Sequence, residues 1–253
     1  MERNRVLLLL AAPGDMITPP LHHALRREAT VALRNVTVPD AAYRVAIRIP
    51  SSGATPPPPY DLILERGLAN GVKLGGFSAV IEISCPSPGG LDELARSVDG
   101  IGRRLGALID LDRSSAVVGT DVVILDGGGP VQLFYCMRRT ADTTHEAFCD
   151  FWAKQHTKIA TTTPGLSGYR QLHASLPHSR VAAEVAEVPA SEINGVALEW
   201  FRAMDGFVSA VGGPAEFTEA AKASEEQFNN LGGATSIVGS VVERSNGKGG
   251  LAW

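Results

Sequence analysis

Apolar runs alternate along the chain with polar, glycine-rich and proline-rich stretches, and they fall into two sets with the same order. Residues 6–12 form a short continuous apolar run that stops at Pro13-Gly14, which reads as a buried strand. The second set is clearer. It opens with a strand at 131–139 and continues with a helix in which Phe148, Phe151, Trp152, Gln155 and Ile159 recur at helical spacing. Thr143 and Glu146 stand as a capping box at its start, and Pro164-Gly165 ends the excursion. Strands follow at about 168–174 and 195–201. A helix over 214–231 then carries Phe217, Ala220, Ala221, Ser224 and Phe228 on one side, before a last strand at 236–243.

Sliding the second set onto the first exposes a repeat. At an offset of 126 residues, 131–139 falls on 5–13, Thr144 on Thr18, and Tyr169-Arg170 on Tyr43-Arg44 without a gap. Farther on the offset shrinks, with Glu199 over Glu82 and residues 237–240 over 117–120. Each half therefore reads strand, helix, strand, strand, helix, strand. Such a βαββαβ unit builds a four-stranded antiparallel sheet with helices on one face, and the bare face must be covered. Two copies in one chain can pack sheet to sheet and close a small barrel. The expected modules are residues 1–126 and 131–245, joined at the glycine run 127–129. That run lacks the strand-to-helix context of a phosphate loop and reads as linker. A proline-rich stretch near 51–59 reads as a long loop, residues 176–193 as an extended loop, and the tail from Ser245 as frayed.

Composition narrows the partners. An apolar fraction of 44%, a charged fraction of 20% and a net charge of −4 describe an ordinary globular chain with no basic surface for nucleic acid. Nothing approaches the roughly 18 apolar residues of a membrane span. The three cysteines, Cys85, Cys136 and Cys149, lack paired spacing and suggest buried thiols in a reducing, cytoplasmic compartment. His22 and His23 are adjacent on a helix and about 100° apart, a poor chelate, so no metal is expected.

The chemistry is concentrated in the second half. Along Tyr169-Arg170-Gln171-Leu172-His173, alternation sets Tyr169, Gln171 and His173 on one face. That polar face suits a strand lining a wet cavity, or an edge meeting solvent. Tyr169 and His173 lie roughly 13 Å apart along the strand, so they hold opposite ends of a substrate or only one of them reacts. His156 sits at the edge of the helix's apolar stripe, either as a structural hydrogen-bonding residue or leaning toward the pocket as general acid or base.

The segments around Phe134 to Arg139, His145 to Phe148, Phe151-Trp152 with His156, Pro164-Gly165-Leu166, and Tyr169 with His173 resemble the EthD family of the dimeric α/β barrel superfamily. The resemblance implies an α+β fold of two tandem ferredoxin-like modules packed as an intrachain dimeric α/β barrel, the first module degenerate. It points at His173, His156 and Tyr169 as catalytic groups. Gln171, Phe134, Trp152 and Trp200 are the expected substrate contacts. The superfamily holds cofactor-free cyclases, dehydratases, decarboxylases and monooxygenases, and some haem proteins, for which His156 or His173 could serve as axial ligand. The expected activity is that of a cofactor-free lyase or isomerase working by histidine acid–base chemistry on an aromatic or polyketide-like molecule. The alternatives are a non-catalytic binding module and a cofactor-free monooxygenase of phenols. The expected partners are a hydrophobic small-molecule substrate and, at most, a second copy of the chain as a homodimer, with no nucleic acid and no membrane.

Overall fold

The computed structural model describes residues 2–49, 73–74, 76–86, 89–211 and 215–245. The proline-rich stretch near 51–59 and the tail beyond Ser245 lie outside the described residues. The first half runs β1 (Arg3–Ala11), α1 (Pro19–Arg34), β2 (Ala42–Arg48), β3 (Lys73–Leu74), β4 (Ala79–Pro86), α2 (Leu91–Ser97), α3 (Ile101–Leu105) and β5 (Asp110–Leu125). The second runs β6 (Val131–Met137), α4 (His145–Phe151), β7 (Leu166–Ala174), α5 (Leu176–Ala186), β8 (Gly195–Phe201), α6 (Met204–Val211), α7 (Ala215–Glu225) and β9 (Thr235–Ser245).

The strands pair in the order β2-β4-β1-β5-β7-β8-β6-β9, and β9 returns to β2. The result is a closed antiparallel barrel of eight strands, with the two-residue β3 added parallel to β9. Closure removes the exposed edges that an open sheet of this length would carry. The halves join twice, at β5 against β7 and at β2 against β9. In each half the order is second, third, first, fourth strand of that half, with β3 left aside. The linker's glycines are needed for close approach: a Cβ on Gly127 would lie 1.9 Å from the Ser167 carbonyl oxygen, and one on Gly129 2.1 Å from that of Phe201.

Strand alternation divides the side chains into three layers. Inside the barrel, Leu7, Leu9, Val80 and Val117 of the first half meet Phe134, Leu172, Leu198 and Trp200 of the second. Outside the first half, Val6, Leu8, Tyr43, Val45, Ile81 and Ile83 form an apolar layer under the helices. Outside the second half, Phe148, Trp152, Tyr169 and Phe228 form a smaller aromatic layer.

Three expectations need correction. Residues 176–186 are a helix, α5, rather than a loop, and it buries Ser179, Ala182, Ala183 and Ala186. Those small residues pack it against the first half's layer, beside Ala95 and Val98, so an element of the second half covers the first. The stripe is alanine rather than leucine, and its periodic signal is correspondingly weak. The 126-residue offset also places Leu133 on Leu7, yet Leu7 points into the barrel and Leu133 packs outside with Val131 and Phe207. A slip of one residue reverses every side chain of a strand, so the first strands correspond one position away. Likewise Glu82 faces the interior, level with Leu7, while Glu199 stands outside, level with Leu133. The offset does hold for Tyr43 and Tyr169, which both lie in outer layers. Finally, α6 was not anticipated. The expected helix at 214–231 is found as α7 with a turn after it, and the side chain of Phe217 lies outside the described residues.

Candidate active site between helix and sheet

The outer layer of the second half begins with α4. Thr144 caps it, accepting from the Ala147 N–H at 3.1 Å. The expected cap, Thr143, instead pairs its hydroxyl with that of Thr140. After Phe151 the helix passes through one π turn, Trp152–His156, and closes with Thr157–Ala160. A π turn inserts a residue into the helical register and swings the following side chains round. The buried line thus becomes Phe148, Trp152, His156 and Ala160, while Gln155 is exposed and Ile159 half-buried. The widened turn leaves the Trp152 carbonyl in need of partners. It accepts from Thr157 Oγ1 at 3.0 Å and from Gln171 Nε2 at 3.2 Å.

Gln171 therefore ties β7 to the helix. Its Nε2 also donates to the Tyr169 hydroxyl at 3.1 Å, and its Oε1 lies 3.2 Å from His173 Nε2. Trp152 Nε1 donates to the same Tyr169 oxygen at 2.9 Å, and the Trp152 ring stacks on His173 at 5.2 Å. A phenol oxygen accepting two donors has its own proton left to give. No hydrogen bond among the described residues uses that proton. The nearest residue across the strand pair is Glu199.

Glu199 and Glu225 are the most perturbed carboxyls of the layer. Burial, and then the neighbouring Glu225, push Glu199 up to about 7. Burial pushes Glu225 up to about 7 against hydrogen bonds from Tyr135 and Asn229. Tyr135 donates to Glu225 Oε2 at 2.9 Å and accepts from Asn229 Nδ2 at 3.0 Å. No cation among the described residues forms an ion pair with either carboxyl. Asn229 Oδ1 and the Ser236 hydroxyl are buried without a partner, and Ser236 pairs across the sheet with Tyr135. The imidazoles move the other way. Burial holds His156 down to about 4, with Ser224 Oγ 3.1 Å from Nδ1. Burial, then the nearby His145, hold His173 down to about 4. Both rings are neutral at pH 7.

This layer coincides with a known family. Residues 140–232 match the family model described as EthD domain. The second half of the chain carries an EthD domain. No curated protein matches the sequence at a significant level. Among solved structures the chain is similar to an anthrone oxidase-like protein, at 13% identity and a TM-score of 0.59 over 99% of this chain and 95% of that one. It is also similar to a candidate monooxygenase of Fusobacterium nucleatum, at 8% identity and a TM-score of 0.52 over 100% and 97%. A candidate chlorite dismutase matches at 10% identity and a TM-score of 0.50 over 96% of each chain. At such identities these likenesses establish the fold, an eight-stranded α/β barrel.

Within the EthD domain, Tyr169, Gln171, His173 and Trp152 come together, with His156 one helical turn beyond. Their face lies under α4, where the sequence suggested a cavity wall or a solvent edge. The polar atoms satisfy one another there, a coverage that alternation alone does not reveal. Phe134 and Trp200, expected as substrate contacts, lie on the other side of the sheet, inside the barrel. Sequence reading passed over Tyr135, Glu199, Glu225 and Asn229. The available signal was one glutamate in the apolar run 195–201.

Haem would need an imidazole nitrogen aimed into open space. His173 lies flat on Trp152, and His156 is held by Ser224 and packed on Phe228 at 5.3 Å, so neither fits that role as placed. Among the described residues no group of three His, Cys, Asp or Glu is placed to hold a metal ion. No described helix is long and apolar enough to cross a membrane.

Gly195 sets the seat of the indole. A Cβ there would lie 2.5 Å from Trp152 Cζ3 and 3.1 Å from Phe148 Cε1. Gly195→Val is expected to tilt Trp152 off the Tyr169 hydroxyl and to destabilise the fold by about 1–3 kcal/mol, as overpacking does. Thermal unfolding with tryptophan emission checks this, and an unchanged transition would show that the seat has slack.

Proposed function

We propose that the EthD domain is a proton-transfer enzyme, a cofactor-free lyase or isomerase acting on a hydrophobic aromatic or polyketide-like molecule that bears oxygen. The carrying observation is a pair of desolvated carboxyls, Glu199 and Glu225, with no cation paired to either among the described residues, and both near enough to add to burial in raising the Tyr169 phenol above its ordinary value. Near neutral pH such a pair holds about one proton between its two members. The ionised carboxylate takes a proton from carbon alpha to a carbonyl, and the Tyr169 O–H donates to the enolate oxygen that develops. The protonated partner returns its proton, either to carbon in an isomerisation or to a departing hydroxyl, which leaves as water in an elimination. His173 fixes Gln171, and Gln171 in turn aims the phenol; His156 anchors Ser224 on α7.

The reading includes two fused ferredoxin-like modules, residues 1–126 and 131–245, with the working layer in the second. The repeated strand order supports it, as does the apolar character of the first half's outer layer. A second reading, cofactor-free oxygenation of a phenolic substrate, is favoured by the names of the similar structures, anthrone oxidase-like and candidate monooxygenase. The test incubates the full chain in D2O with a panel of hydroxylated anthrones and tetralones. It follows deuterium at carbon by NMR, product by mass spectrometry and oxygen by electrode. Exchange or dehydrated product without oxygen uptake supports the first reading, and stoichiometric oxygen uptake supports the second. Binding without exchange, product or uptake would leave a carrier and overturn both.

A further inference from the structure

The barrel interior holds a second polar group that the outer layer does not use. Arg5 is fully buried and donates to Glu82 and, at 3.1 and 2.7 Å, to Asp121. Arg170 reaches Asp121 from the other half at 3.0 Å. Arg44 approaches Glu82 at 3.9 Å and lies over the Trp200 ring at 5.6 Å. Gln132 pairs across the sheet with Trp200 on the same interior face and is 0% exposed. Yet neither its Nε2 nor its Oε1 has a hydrogen-bond partner, and Glu82 Oε2 is likewise buried and unpaired. A fully buried primary amide lacking both kinds of partner is rare in a native fold, because burial without a bond is unfavourable for each atom.

The unmet demand has a definite shape. The Gln132 amide presents one donor and one acceptor side by side in a plane, so it matches a molecule presenting C=O beside N–H. The charges around it are already matched, Arg5, Arg44 and Arg170 against Glu82, Asp121 and Asp126, so a neutral molecule suits the site better than an ion. We propose that the barrel interior is a second binding site, taking a small planar molecule with a carboxamide-like edge, held by Gln132 beside Trp200. The approach is from the Arg44 side, where that side chain is 31% exposed. The indole of Trp200 reports on this site, while that of Trp152 reports on the outer layer, so the two are distinguishable in one titration.

The experiment uses benzamide with the full chain, observed through indole and side-chain amide resonances assigned by nitrogen labelling. The expected result is saturable one-to-one binding that moves the Gln132 side-chain amide and the Trp200 indole. Gln132→Leu should weaken binding at least tenfold. Should that variant not fold, the wild-type resonances decide alone. Absence of saturable binding overturns the proposal, as do shifts confined to Trp152. A soaked crystal with only ordered water on Gln132 also overturns it, since water would then be the partner the amide requires.

Discussion

Glu225→Gln is expected to lower turnover of a carbon-acid substrate by roughly 10²–10⁴, the usual size of one acid–base group. Glutamine keeps the shape and can still accept from Tyr135 but cannot exchange a proton. The pH profile carries the sharper result. In the native pair one carboxyl must be ionised and one protonated, so activity should peak near pH 7. It should fall on the acid side as both become protonated, and on the alkaline side as both lose their protons. Glu225 is one of the two causes that raise Glu199. Its removal should therefore move the remaining ascending limb to lower pH. Tyr135→Phe acts oppositely, because the Tyr135 hydrogen bond holds Glu225 down. Losing it should shift the limb to higher pH at a modest cost in rate. A Glu225→Gln enzyme with native turnover and an unmoved profile would remove the carboxyl pair from the mechanism.

How much of this was legible in the sequence depends on which property is asked of it. Period-two alternation separated Tyr169, Gln171 and His173 from Arg170 and Leu172 correctly, because each strand residue obeys it locally. What covers a face is a tertiary property. The same polar triplet could have met solvent, yet Trp152 lies over it, seated by a glycine on the neighbouring strand. The match of Glu199 to Glu82 looked like repeat evidence, although the two glutamates stand on opposite faces of the barrel wall. That match concealed the more useful fact that a lone glutamate in an apolar strand must be partnered or perturbed. The π turn was equally hidden. Helical spacing favoured Gln155 and Ile159, and the inserted residue gave their places to His156 and Ala160. Trp200 and Phe134 were read as sharing a site with Tyr169, and a single β-sheet separates them.

Asp121→Ala is expected to cost about 3–5 kcal/mol, the range for leaving a buried charge unpaired. For a chain of this size that corresponds to a fall in Tm of roughly 6–20 °C. Asp121 is 0% exposed and stands on β5 where the halves join. Its carboxylate accepts from Arg5 twice, from Arg170 at 3.0 Å and from the Arg3 backbone at 2.6 Å. Alanine would strand the Arg5 guanidinium with Glu82 alone and leave β7's Arg170 only its longer contact to Asp126 at 3.4 Å. Burial by itself would raise the Asp121 carboxyl, but Arg5 and the bonds from Arg5 and Arg170 outweigh it and hold the group below its ordinary range. A depressed carboxyl contributes stability above its unfolded value and loses it as pH falls through the folded one, so wild type should weaken below about pH 4. Glu199 and Glu225 are raised, so their contribution is complete below the unfolded value and is lost as pH rises through about 7. The buried imidazoles of His156 and His173 oppose the carboxyls between pH 4.5 and 6.5, where their own contribution is lost as pH falls. Wild-type Tm should thus be nearly level over that interval, decline toward pH 8, and drop steeply in acid. Asp121→Ala should lack the part of the acid drop that Asp121 supplies while keeping the alkaline decline. A series of thermal melts from pH 3 to 9 checks both variants together. A loss under 1 kcal/mol for Asp121→Ala would show that Arg5 and Arg170 find other partners, and that the seam between the halves does not depend on this carboxylate.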